Sequence, residues 1–257
     1  MAKWITFPHP DKAYQHTESS LKKHWPRLHR GDCEPLPKDK TALAAWIAYH
    51  AGDFGQAIEL GVEAGPVGYN AANKAAAVYA TYLETSEKRK LELLQQAAGR
   101  AEELQASSPG NANAFYLYAF ATGRYSQDIS IAKALAQGLG GKVKDALQKT
   151  LKLEPAHADA HIAFGAWHAE IIDKVGAMIG GVTYGAKRGA SLEHFQRALE
   201  LNPDSAIARI EYANGLVMLD GRKAMAQAEQ LYAEAAACQP MDAMERLDVE
   251  LAKAELE

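Results

Sequence analysis

"FQRALELNPDSAIAR", Phe195 to Arg209, decides the fold. It reads as the end of an amphipathic helix, a proline, and a fresh helix start. Proline cannot continue a helix, and it biases the residue before it out of the α region. Asp204 and Ser205 suit the next N-terminus. "LQKTLKLEPAHADAH", from Leu147, aligns with this stretch directly, with Asp159 likewise suiting the next N-terminus; "LYAEAAACQPMDAME", from Leu231, aligns after a shift of one. Elsewhere apolar residues recur at i, i+3, i+4 and i+7, and strand-like alternation is missing. The chain therefore reads as all-α and internally repetitive.

At these residues the chain resembles the tetratricopeptide repeat family. One copy reads His161-x2-Phe164-Gly165-x2-His168, then Ser191-x3-Phe195-x2-Ala198-x4-Pro203. Others end Ala228-x3-Tyr232-x2-Ala235-x4-Pro240, Val143-x3-Leu147-x2-Thr150-x4-Pro155 and Ala97-x3-Ala101-x2-Leu104-x4-Pro109. "LAAWIAYHAGDFGQAIELG", from Leu43, reads as a further helix pair, with Ala57 in the close-packing place. The resemblance implies a right-handed superhelical solenoid of about four to five helix pairs, over residues 41–240. Residues 241–257, with Met244, Leu247 and Leu251 on one face, form a capping helix with a solvated acidic face. Residues 1–40 carry five of the ten prolines, many cations and the aromatic anchors Trp4, Phe7 and Trp25. They are expected to dock on the first repeat, whose apolar face would otherwise be open.

The repeat-ending prolines 109, 155, 203 and 240 are separated by 46, 48 and 37 residues, against a standard of about 34. The excess falls inside two consecutive repeats, near 126–142 and 170–189. A short helix is expected over Ile129–Leu139, and an extended first helix from Ala158 to about Met178. The glycine-rich stretch "GAMIGGVTYGAKRGAS", from Gly176, then joins two helices of one pair. In a solenoid, Gly138–Lys144 and Gly180–Arg188 should be neighbours on one edge. Such inserts are similar to those of the regulators of microtubule dynamics and of the T-component of TRAP transporters. The latter implies an export signal, and none is visible.

Composition removes several functions. Hydrophobic residues make up 48% and charged residues 23%, with a net charge of −4, so nucleic acid is not the expected partner. Cys33 and Cys238 fit no metal spacing and suggest a reducing compartment. No signal-peptide core or long uncharged apolar run is visible, and a cytoplasmic protein without a membrane span is expected. A phosphate loop needs G-x-x-x-x-G-K-[ST] after a strand. Gly180 and Gly185 have the separation, but Ala186 stands where the lysine belongs.

The remaining candidates are contact residues. Lys142, Lys144, Lys187 and Arg188 could form an edge for an acidic partner, beside helix N-termini. His161 and His168, with His157, are the weak metal candidates; no H-E-x-x-H motif accompanies them. No nucleophile with a base is evident, so neither enzyme activity nor a cofactor is expected. In repeats of this kind the first helix of each pair lines the groove. There Tyr116 and Phe120, followed by Arg124, should face a partner, while Phe115 and Tyr118 turn inward. Asn214 takes a groove place in the last repeat. Some members of the family hold a C-terminal carboxylate with lysine, arginine and asparagine; here Asp159, Ile162, Ala166, Asn113 and Tyr116 leave the companion places without cations. The sequence thus points to a scaffold binding a peptide or protein, of open oligomeric state. The alternative is a small-molecule or lipid binder, with the inserted helices roofing an apolar cavity.

Overall fold

The computed structural model describes residues 4–257; the first three residues of the proline-rich segment lie outside them. The helices are α1 (Glu18–Leu28), α2 (Lys40–Ala51), α3 (Phe54–Glu63), α4 (Tyr69–Tyr82), α5 (Glu87–Ser107), α6 (Ala112–Gln127), α7 (Ile131–Ala136), α8 (Leu139–Leu153), α9 (Ala158–Val175), α10 (Ala177–Ile179), α11 (Arg188–Leu201), α12 (Ala206–Asp220), α13 (Met225–Ala236) and α14 (Ala243–Ala254). No strand occurs among the described residues.

The chain divides into two compact units. One holds the described residues up to His29, with Glu34–Leu153 and Met241–Met244. In it the pairs α2/α3, α4/α5 and α6/α8 pack in succession, and the first helices α2, α4 and α6 lie side by side. The other holds Arg30–Cys33, Glu154–Pro240 and Glu245–Glu257. It contains the pairs α9/α11 and α12/α13, with α9 against α12.

Local chemistry sets the helix starts. Asp39, Asn111 and Ser205 each accept a hydrogen bond from the amide three residues on, at Ala42, Ala114 and Ala208. A cap of this kind contributes about 1 kcal/mol. Ser205 caps α12, and α9 starts at Ala158, as the sequence suggests. The α9 cap is His157, fully buried, whose Nδ1 accepts from the Ala160 amide at 3.0 Å. Asp159 falls in the first turn, where its carboxylate favours the positive end of the helix.

The inserts resolve into helix and turn. The short helix occupies Ile131–Ala136, within the expected span, and Gly138 (φ 64°) precedes α8. The extended helix stops at Val175, three residues early, because Gly176 adopts φ 83°. A single turn (α10) and a π-turn over Gly180–Tyr184 lead into α11. The exit is pinned where the Lys187 amide donates to His168 Nδ1 at 3.1 Å.

Aromatic anchors of the N-terminal segment pack within the first unit. Phe7 meets Phe54 edge-on at 6.4 Å, and Trp25 meets Trp46 at 5.9 Å. Trp4 crosses Tyr79 at 5.0 Å and takes the Arg89 guanidinium over its ring. In the second unit Val249 and Ala252 of α14 pack with Ala206, Ile210 and Ala235 in one buried cluster.

Candidate functional site

Two buried asparagines meet a carboxylate at the N-terminal ends of α4 and α6. Asn70 and Asn113 are each the second residue of their helix, and both are buried, at 5% and 4% exposure. Between them lies the Glu34 carboxylate. Asn70 Nδ2 donates to Glu34 Oε2 at 2.9 Å and to Oε1 at 3.2 Å, and Asn113 Nδ2 donates to Oε2 at 2.6 Å. The Trp25 indole donates to the Glu34 carbonyl at 2.8 Å. Amide donors at two helix N-termini suit a carboxylate, because the backbone dipoles there favour negative charge. The sequence reading missed this arrangement. Its only trace was an asparagine at the same place in "YNAANK" and "ANAFYL".

A stripe runs along α6 from Asn113 through Tyr116 and Phe120 to Arg124, at helical spacing. Tyr116 and Phe120 stack at 6.1 Å, and the Arg124 guanidinium lies 5.8 Å from the Phe120 ring centre. Arg124 also donates to Gln127. The burial pattern differs from expectation. Tyr116 is 6% exposed, while Phe115, Tyr118 and Phe120 are half-buried. Tyr116 lies one turn beyond Asn113, on the side where Glu34 is seated, whereas Lys149 spans the Phe115 ring at 5.6 Å.

The other predicted contacts are distributed over both units. In the first, Lys142 is exposed and Lys144 half-buried on α8. In the second, Lys187 is exposed, but Arg188 is bidentate to Asp220 at 3.0 and 2.6 Å. That pairing holds the Asp220 carboxyl below its usual range and commits the guanidinium. Asn214 accepts from the Tyr232 hydroxyl.

His161 and His168 have protein partners. His161 Nε2 faces the Pro155 carbonyl at 3.2 Å, so its Nδ1 accepts from His194 Nδ1 at 2.8 Å. His168 Nδ1 is filled by the Lys187 amide. Among the described residues no group of three or more His, Cys, Asp or Glu is arranged to hold a metal ion. Burial, then His161 and His168, push the His194 imidazole down to about 4. The unfolded chain protonates it near 6.5. His194 therefore adds stability that is full above pH 6.5 and is lost as pH falls toward 4. Urea midpoints at about pH 7 and about pH 4.5 should differ, and His194→Asn should narrow the gap. An undiminished gap would remove His194 as its source.

A recess between α5 and α6, about 190 Å³, is lined by Leu94, Glu102, Tyr118, Thr122 and Tyr125, with Leu139 of α8. Neither α7 nor Gly176–Tyr184 lines it, and drug-sized ligand pockets start at about 300 Å³.

Antiparallel helix pairs, first helices side by side, and Gly165 of α9 and Gly215 of α12 seated against the Phe195 ring define a tetratricopeptide-type helical-repeat protein. A thermophilic TPR protein of Thermus thermophilus shares the fold at 17% identity, over 83% of this chain and 97% of that one, with a TM-score of 0.58. The model of regulator of microtubule dynamics protein 1-3 matches residues 69–255. The chain belongs to that family. A search of curated proteins found no match. No helix among the described residues is long and apolar enough to cross a membrane.

Proposed function

We propose that the chain is a non-enzymatic scaffold that binds a peptide or protein partner on the first helices of its pairs. The observation that carries this reading is the seating of Glu34. An irregular segment of the chain already lies against α4 and α6, as an extended ligand would. In the first unit, Phe120 and Arg124 extend that surface, with Tyr116 beneath Phe120 and with Lys142 and Lys144 as a second contact. In the second unit Asn214 and Lys187 are the corresponding contacts, and the Arg188–Asp220 pair would have to open for Arg188 to join them. The mechanism is shape and apolar complementarity, with charge setting orientation. The cytoplasm is the compartment that fits two cysteines not joined in a disulfide.

The family's description makes microtubules the first partner to test. Full-length chain and a Phe120→Glu variant would be compared by microtubule co-pelleting and by affinity capture from the native cell. The variant should lose at least ~90% of the captured partner at unchanged helicity, since a carboxylate placed in an apolar contact costs several kcal/mol. Equal capture would remove Phe120 from the contact.

A further inference from the structure

We infer that Asn70 and Asn113 form a binding site for the side-chain carboxylate of an acidic peptide, and that Glu34 fills it as the chain's own stand-in ligand. This deepens the scaffold reading above and rests on it. The partner must then displace the Glu34 side chain before it can bind.

Two buried amides on two helices converge on one carboxylate. Buried amides are costly unless paired, so a site of this kind needs an occupant. The Asn70 amide is oriented by its other acceptor, Asn111 Oδ1, at 3.3 Å. This leaves Asn70 Oδ1 buried with no hydrogen-bond partner among the described residues. One turn on, Asn73 accepts from Arg100 Nε at 2.8 Å, and its Nδ2 is likewise buried and unpartnered. Beside the carboxylate seat there is thus a spare acceptor and a spare donor. Those are the complements of a peptide N–H and C=O, and Glu34 leaves both unused. The Tyr116–Phe120 stack lies further along α6, so the fitting ligand is an extended peptide with a glutamate or aspartate near an apolar side chain.

The occupant is built to be replaceable. Residues 33–37 have no regular secondary structure, and Pro35 and Leu36 are exposed. The family match begins at residue 69 and so includes both asparagines but not Glu34. The seat lies in the matched region, and its present ligand lies outside it. An internal ligand of this kind lowers apparent affinity by the fraction of molecules in which the seat is free.

The test uses a fluorescein-labelled eight-residue glutamate peptide and its glutamine counterpart, read by anisotropy on the full chain. Glu34→Ala should bind the glutamate peptide at least ten-fold tighter than wild type, with no gain for the glutamine peptide. Adding Asn113→Ala should abolish the gain. An unchanged affinity in Glu34→Ala, or a gain that survives Asn113→Ala, overturns the proposal; the second outcome puts the peptide on surface lysines. A readout without substitutions guards against misfolding. In the wild-type chain, excess glutamate peptide should shift the side-chain amide NMR signals of Asn70 and Asn113, and bound peptide that leaves them unmoved also overturns it. If Phe120→Glu loses its partner while Glu34→Ala leaves peptide affinity unchanged, the scaffold reading stands and the stand-in ligand falls. If Phe120→Glu captures as wild type does while the Glu34→Ala gain appears, the carboxylate seat stands and the aromatic contact falls.

Discussion

Phe195→Ala should lower the stability of the chain by about 3–5 kcal/mol. The Phe195 ring is fully buried in the second unit, at 0% exposure. It is held between two glycines. A Cβ added at Gly165 of α9 would come within 2.9 Å of the ring, and one at Gly215 of α12 within 2.5 Å. Tyr212 stacks on it at 5.2 Å, and Leu216, Ala228 and Leu231 complete the cluster. The ring is thus the wedge that sets the approach of α9, α11 and α12. Gly215→Ala should cost about 1–3 kcal/mol by overpacking. The two losses should not add. Once the ring is shortened, the methyl group introduced by Gly215→Ala has room, so Phe195→Leu with Gly215→Ala should be more stable than the sum of its parts predicts. Urea unfolding of the four chains in this double-mutant cycle checks it. Strict additivity would mean that ring and glycines do not share one space.

How far this was legible follows from what each feature depends on. Proline after an amphipathic helix end is a local signal, and Pro155 and Pro203 mark real junctions between α8 and α9 and between α11 and α12. Gly176 shortened α9 because a φ of 83° ends a helix whatever the apolar pattern beyond it. The α9 start at Ala158 was legible but its cap was not, because histidine is an uncommon cap, and only the burial of His157, with Nδ1 turned to the helix amides, reveals the role. The carboxylate seat was hidden for a different reason. Glu34 lies 36 residues from Asn70 and 79 from Asn113, and no periodicity links an irregular segment to a helix it meets that far along the chain. His194 was overlooked because it does not belong to the aromatic positions of the repeat. It reaches His161 only through the packing of α9 on α11.

His50→Phe should cost about 3 kcal/mol although it keeps a ring of similar size. His50, on α2, is buried in the first unit, and its Nδ1 donates to the Asp242 carboxylate at 2.7 Å. Its Nε2 therefore accepts from His29 Nε2 at 3.2 Å, and the imidazole stacks on Trp46. A phenyl ring preserves the stacking and deletes the donor, leaving a carboxylate at 3% exposure without that hydrogen bond. Asp242→Asn should cost far less, because an amide oxygen still accepts from His50. The contrast separates lost hydrogen bonding from lost packing, and equal costs would assign both to packing. Burial lowers the His50 pKa, only partly offset by Asp242, with His29 and Lys74 lowering it further. The folded state therefore holds the neutral ring. Its contribution is full above the ordinary 6.5 and is lost as the medium acidifies, and His50→Phe should remove that share of acid sensitivity. The neighbouring residue adds a local readout. Tyr49 donates its hydroxyl to Met244 Sδ at 2.7 Å, so two successive residues of α2 hold the 241–244 segment, 195 and 192 positions away along the chain. Loss of the His50 donor should let that segment open before the helices around it. Limited proteolysis should then cut near Arg246 in His50→Phe faster than in Asp242→Asn, at a denaturant concentration where both chains remain helical.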